Sequence, residues 1–452
     1  MTAITGHVRT FYQLLINTGL VSVINFSVWF AVTFWTYLQT KSVFATGVIS
    51  GIFLVLTALT GIWFGSLVDG HRKKNALQGS ALASLVMYAA ALALYLVVPE
   101  EAFHDPADAR LWGFVLLLMF GVIAGNIRTI ALPTMVTLLI DEDRRDRANG
   151  LVGTVSGTTF LVTSVISGVL VAFDGMFSIL VLALVVLGLS IVHLAFVPIP
   201  ERPAAHDGDG ASAPGIDLRG TLRIIGRVPG LTALILFSTF NNFLGGVFMA
   251  LADAYGLSLV SVQTWGLLWG VISTGFIIGG LAIARTGLGS RPVRLLLLIN
   301  VALWAIILIF PLWASIIPMA VGMYLYMLLM PYAEAAEQTI LQRVVPYERQ
   351  GRVFGLAQSV EQAASPLTAF LISPITQFVF IPFMSDGGAG ADAIGSWFGT
   401  GPDRGMALVF VLTGVIGIIA TTAALASRPY RALSRRVSEE SPSTEAEEPA
   451  TA

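Results

Sequence analysis

The chain has 452 residues, 56% of them hydrophobic and only 12% charged, with a formal net charge of −2. Soluble domains carry about 25% charged residues, so this composition excludes an ordinary soluble domain and points to a polytopic membrane protein for which no nucleic-acid partner is expected. No cysteine is present, which rules out disulfides and thiol chemistry, and the five histidines have no ligand-like spacing, so no metal site is expected.

A helix crosses the hydrocarbon core in about 20 mostly apolar residues. On that rule twelve spans are predicted: 13–37, 43–65, 76–98, 111–138, 150–173, 176–197, 229–254, 262–284, 293–313, 316–340, 353–382 and 405–426. The apolar run after Arg9 is too long for a cleavable signal and ends at no small-residue site, so it counts as the first span. This span carries Asn17, Asn25 and an aromatic group that includes Trp29. Between the second and third spans runs Gly65-Ser66-Leu67-Val68-Asp69-Gly70-His71-Arg72-Lys73-Lys74, a short loop with one acid and a tight basic cluster. The fourth span holds Arg128 at about its middle, and the fifth is rich in glycine (Gly150, Gly153, Gly157, Gly168).

Residues 1–197 therefore form a first six-helix bundle, followed by a linker over 198–228. Pro203 to Pro214 is rich in Gly, Ala and Asp, as flexible linkers are. Leu218 to Val228 sets Leu and Ile among Arg219, Arg223 and Arg227, as an interfacial amphipathic helix does. The second bundle covers 229–428 and carries Asn241 and Asn242 on its first span. Its tenth span bears Tyr326, Met330, Glu334 and Glu337, and its eleventh the polar stripe Gln358-Glu361-Gln362-Ser365. The tail, 429–452, is expected to be disordered, being acidic and Ser/Pro-rich after Ser438.

Basic residues orient the chain. The Arg72–Lys74 cluster, Arg144, Arg145, Arg147, Arg202, Arg349, Arg352, Arg428 and Arg431 lie with most others on one side of the twelve spans. Lys41, Arg110 and Arg404 lie on the other, so both termini are expected in the cytoplasm. The halves also repeat: Thr134, Arg144, Arg147, Gly150, Leu151 and Val155 recur 205 residues later as Thr339, Arg349, Arg352, Gly355, Leu356 and Val360. Parallel six-span repeats place a substrate site between the halves near midplane.

Ionisable groups inside spans usually face a cavity or a partner. Glu334 and Glu337, three apart, share a helix face, and the stripe around Glu361 lines either a wet pathway or a helix contact. Arg128 is either a coupling charge or a lock between helices. The asparagines could bind substrate or bond across helices.

The Gly65–Lys74 loop resembles the signature loop between the second and third helices of the major facilitator superfamily, with Gly70 where the family has a basic residue after the acid. Arg128 resembles the family's fourth-helix arginine, implicated in proton coupling in drug exporters. With Ala333-Glu334-Ala335-Ala336-Glu337-Gln338 and Arg349-Gln350-Gly351-Arg352, the pattern is similar to the macrolide-efflux-type branch. The resemblance implies an all-α membrane protein of twelve transmembrane helices in two six-helix pseudo-symmetric halves. It implies a secondary active exporter of lipophilic small molecules, working by alternating access with proton antiport: a monomer in the cell membrane, touching lipid, without enzymatic activity or cofactor. The residues so implicated are Glu361, Glu334, Glu337 and Arg128 in proton coupling. Gly65, Asp69, Arg72, Lys73, Arg349 and Arg352 would form a cytoplasmic gate. Asn25, Trp29, Asn241, Asn242, Tyr326, Met330, Gln358 and Gln362 would line the substrate cavity. Export of a native metabolite such as a siderophore, lipid transport, and a non-transporting scaffold or receptor stay open.

Overall fold

Inside hydrocarbon every backbone N–H and C=O needs an internal partner, which favours helices. The computed structural model describes residues 2–40, 43–200 and 218–439, and among these it contains no strand. The first half comprises α1 (Thr2–Thr40), α2 (Val43–Gly70), α3 (Lys73–Val97), α4 (Ala109–Gly125), α5 (Ile127–Leu139), α6 (Arg145–Asp174) and α7 (Phe177–Phe196). A surface helix α8 (Leu218–Arg227) precedes the second half: α9 (Leu231–Leu259), α10 (Val262–Thr286), α11 (Pro292–Ile309), α12 (Ile316–Val344) and α13 (Gln350–Ile375). The short α14 (Ile381–Met384) and α15 (Ala389–Phe398) then lead to α16 (Pro402–Ala426) and α17 (Arg428–Glu439).

Among the described residues, eleven helical segments are long and apolar enough to cross a bilayer, α4 and α5 counting together. The twelfth is α6, whose 30 residues suffice in length and which packs along α1 and α10. The twelve-helix plan in two halves holds, with local departures. The fourth span is interrupted at Asn126, next to Gly125, which backs directly onto the Asn25 side chain. The eleventh carries Pro366 and Pro374 and unwinds into a π turn over Thr376–Phe380.

Helix α15 was not expected from the sequence. Arg404 anchors it: its guanidinium lies 4.0 Å over the Phe398 ring and donates to the Pro311 and Leu312 carbonyls at 2.9 and 3.3 Å. The tail also differs from expectation, since residues 429–439 are helical. Leu433 and Val437 bury against the bundle, and that apolar contact offsets the cost of ordering this segment. Lys41, Arg202, the 203–214 linker and residues 440–452 lie outside the described residues.

Three apolar cores define the shape. One, at the end bearing the Gly65–Lys74 loop (the basic face), is shared by both halves: it runs from Phe11, Leu77 and Met135 through Ile283, Ile340 and Phe354 to Leu433. Towards the far face the core divides, with one cluster in the first half around Trp35, Tyr88 and Phe114 and another in the second around Tyr255, Trp304 and Phe410. The halves are therefore joined at the basic face and separate beyond it.

Glycine makes the join possible. α2 packs along α13, and α6 along α10. A Cβ on Gly65 would overlap the Gly351 carbonyl, and one on Gly355 would overlap the Gly61 carbonyl. In the other interface, a Cβ on Gly150 would lie 2.7 Å from the Ala284 nitrogen, and one on Gly280 2.6 Å from the Thr154 nitrogen. Small residues at such crossings let backbones approach closely.

We expect Gly355→Leu to wedge this face open. Overpacking costs about 1–3 kcal/mol, roughly a tenfold fall in the closed population. The chain lacks cysteine, so a single cysteine at the buried Ser359 reports directly: it should become reactive to a polar thiol reagent. An unreactive cysteine would show that the contact tolerates bulk.

Candidate functional site: a cavity between the halves

Above the shared core lies a cavity of about 750 Å³ lined by both halves. The first half contributes hydroxyls (Thr18, Ser22, Ser156, Thr159) and aromatic rings (Phe26, Phe30, Phe160). The second contributes Asn241, Asn242, Tyr326, Met330, Gln358 and Gln362, together with Glu334, Glu337 and Glu361.

The acids sit on two neighbouring helices. Glu334 and Glu337 lie on one face of α12, and Glu361 reaches the same place from α13. The Glu337 and Glu361 carboxyls lie against each other. Glu337 Oε1 accepts a 2.6 Å hydrogen bond from Ser238 on α9. Glu361 Oε1 is buried and meets no donor among the described residues. Glu334 is exposed to the cavity. A pair of touching carboxyls is an arrangement in which one proton can be shared.

The other polar groups are partly committed. Asn241 accepts from Trp304 Nε1 at 2.7 Å and donates to Phe237, while Asn242 donates to Ser238 at 3.0 Å. Gln358 bridges the halves by bonding Thr129 on α5 at 2.9 Å. Tyr326 stacks on Phe248, with centroids 5.8 Å apart.

Two expected cavity residues face elsewhere. Asn25 is buried among helices of the first half, where its Oδ1 accepts from Tyr88 at 2.8 Å. Trp29 packs on Phe53 of α2 at 4.9 Å, leaving the cavity side of α1 to Phe26 and Phe30. Arg128 touches the cavity but is 1% exposed. It donates to Asn17 Oδ1 at 3.0 Å, to the Leu77 carbonyl at 3.3 Å and to Thr18 at 3.5 Å. Among the described residues no carboxylate lies within ion-pair distance of it, so in this state it ties α5 to α1 and α3.

At the basic face Asp69 spans the α2–α13 crossing. Its two oxygens accept from the amides of Gly351 and Arg352, both at 2.8 Å. These belong to the first turn of α13, whose amides lack helical partners and favour an anion. The charges of Lys73 and Arg352 act on the same carboxylate, and Lys73 lies 4.3 Å from the Tyr347 ring centroid. Gly65 provides the close approach. Arg72 is exposed and Arg349 half-buried, and neither side chain makes a hydrogen bond or ion pair among the described residues.

The second interface has a latch that the sequence reading missed. Ala284 stands where Asp69 has its repeat counterpart, yet Asp146 at the start of α6 accepts from the Leu288 amide at 2.7 Å. The acid has moved to the facing helix. Asn149 adds bonds at 2.9 Å to both Thr339 and Gln342 across the halves. The polar spacing on α6 (Ser156, Thr159, Thr163) was the available signal for this helix's cavity face.

Two six-helix halves, latched at one face around a central cavity that both line, define a membrane carrier. The sequence model of the Major Facilitator Superfamily matches residues 14–369, and the chain belongs to that family of transporters. It is 22% identical to macrolide efflux protein A of Streptococcus pyogenes over 353 residues, 75% of this chain and 83% of that protein. A protein of the same name from Enterococcus faecalis is 22% identical over 322 residues, 69% of this chain and 94% of the relative. Among solved structures, a bacterial homologue of the iron transporter ferroportin, outward-facing, superposes with TM-score 0.68 at 16% identity, covering 92% of this chain and all (100%) of that one. The proton:xylose symporter XylE gives 0.67 at 13% identity, covering 93% and 96%. These likenesses show the fold, and membership of the family makes the chain a multi-pass membrane transporter.

Two outcomes follow. Arg128→Ala orphans acceptors on α1 and α3 at about 1–3 kcal/mol each, so the purified protein should melt several degrees lower; an unchanged melting temperature would show the arginine is not a lock. A hydrogen bond to a charged group is worth about 1.5–3 kcal/mol. Asp69→Asn and Asp146→Asn should therefore each raise thiol reactivity at Ser359→Cys. Acting on separate interfaces, their effects should add. No rise in either variant would exclude a latching role.

Proposed function

We propose that the protein exports lipophilic small molecules across the cytoplasmic membrane by alternating access, exchanging them for protons. The basic face, by the distribution of arginine and lysine, is cytoplasmic, so the structure corresponds to the outward-open state. One chain encloses the whole cavity, and it works as a monomer. The aromatic and methionine lining suits a bulky apolar solute, and the macrolide-efflux relatives support that substrate class.

The observation that carries proton coupling is the buried Glu361 Oε1, which meets no donor among the described residues, on a carboxyl that neighbours Glu337. A shared proton is the donor this pair lacks. In the outward-open state the cavity gives the acids access to external protons. When the latches at Asp69 and Asp146 release, the cytoplasmic ends of α2 and α13 and of α6 and α10 part, and the far ends close. The acids then face the cytoplasm, where the proton leaves and substrate enters. Ser238 holds Glu337 of the pair by its hydrogen bond, while Asn241, Asn242, Gln358 and Gln362 offer hydrogen bonds to the solute.

In proteoliposomes with an imposed pH gradient, Glu361→Gln and Glu337→Gln should each abolish uphill movement of a labelled macrolide. Downhill exchange should survive, because the glutamine keeps the cavity's shape. Uphill export that persists with both glutamates neutralised would remove the coupling assignment. Absence of any macrolide flux in the wild-type chain would remove the substrate class.

A further inference from the structure

Outside the cavity, a concentration of positive charge that the transport reading leaves unused lies on α8 and α17. Both are surface helices at the basic face, and both are amphipathic. α8 turns Thr221 and Ile225 inward and Arg219, Arg223 and Arg227 outward. α17 turns Leu433 and Val437 inward and Arg428, Arg431 and Arg435 outward. The two helices are adjacent: Gly230, between α8 and α9, sits so tightly on α17 that a Cβ there would lie 2.5 Å from the Pro429 carbonyl and 2.7 Å from Leu433 Cβ. Their buried residues join the same core.

None of these six exposed arginines makes an ion pair among the described residues, and residues 218–228 and 428–438 contain no acid. α17 starts one residue after the spanning helix α16, and α8 ends three residues before α9, so both lie at the level of the lipid headgroups. Leu218 and Leu222 project beside the arginines, 41% and 52% exposed. Guanidinium groups flanked by exposed leucines at the bilayer surface match an anionic headgroup above and acyl chain below.

We propose that α8 and α17 form a docking collar for anionic phospholipid. α8 packs on α13, and α17 on α9, α11, α12 and α16. Among the described residues the collar packs chiefly on helices of the second half, and it would hold that half at fixed depth while the first half moves against it. The collar does not depend on what the cavity carries.

The test uses the full chain in nanodiscs of mixed phosphatidylglycerol and phosphatidylcholine, with retained lipids counted by mass spectrometry. The wild type should enrich phosphatidylglycerol several-fold, less so at high salt. Changing the six arginines to glutamine should abolish enrichment, whereas Arg9→Gln with Arg147→Gln, on the first half, should leave it intact. If the sixfold variant does not fold, Arg219→Gln with Arg223→Gln and Arg431→Gln with Arg435→Gln should each reduce it. No enrichment in the wild type, or equal enrichment in folded collar variants, would overturn the proposal. So would displacement by soluble glycerol phosphate, which would mark a free-anion site. Enrichment seen only after truncation at Glu439 would instead assign the collar to the chain's own Glu440, Glu445, Glu447 and Glu448.

Discussion

Backbone contact between helices of opposite halves is the constraint on which the remaining geometry rests. At the α2–α13 and α6–α10 crossings, glycines remove the side chains that would keep the helices apart. Only at such separations can one aspartate on α2 reach two amides of α13. The shared apolar core then forms beneath the cavity rather than through it. The shared core at this contact and the split cores towards the far face show that the halves part beyond it.

The two interfaces obey one geometry but distribute their acids differently. Asp69 leaves its own helix to meet a helix start, whereas Asp146 sits at a helix start and meets the loop after α10. What the crossing requires is a carboxylate facing amides without other partners, and either partner helix can supply it. Decay of the signature loop in the second half, where Ala284 stands, is therefore compensated from α6.

The walls of the cavity are chemically unequal. All three carboxyls belong to α12 and α13, while the first half offers hydroxyls and rings, with its one deep base bound to neutral groups of its own bundle. An acidic wall therefore faces one of hydroxyls and rings across the cavity, and under the exchange of solute for protons proposed above the protonation change would fall on the second half alone.

Span number, the two-half plan and the position of the Gly65–Lys74 loop are legible in the sequence because they depend on local quantities: apolar length, basic-residue distribution and a repeat of fixed offset. The shared face of Glu334 and Glu337 follows from helical spacing alone. The contact of Glu337 with Glu361 does not, because it depends on how α12, α13 and α9 pack. Asn25 and Trp29 were assigned to the cavity and face other helices, since a span apolar all round has no stripe to show which side meets water. Arg128 could be placed at depth, but only the fold shows that Asn17, Thr18 and Leu77 surround it. The helix at 428–439 was equally hidden: its few apolar residues stabilise order only against a core assembled from both halves, and that core exists only in the tertiary structure.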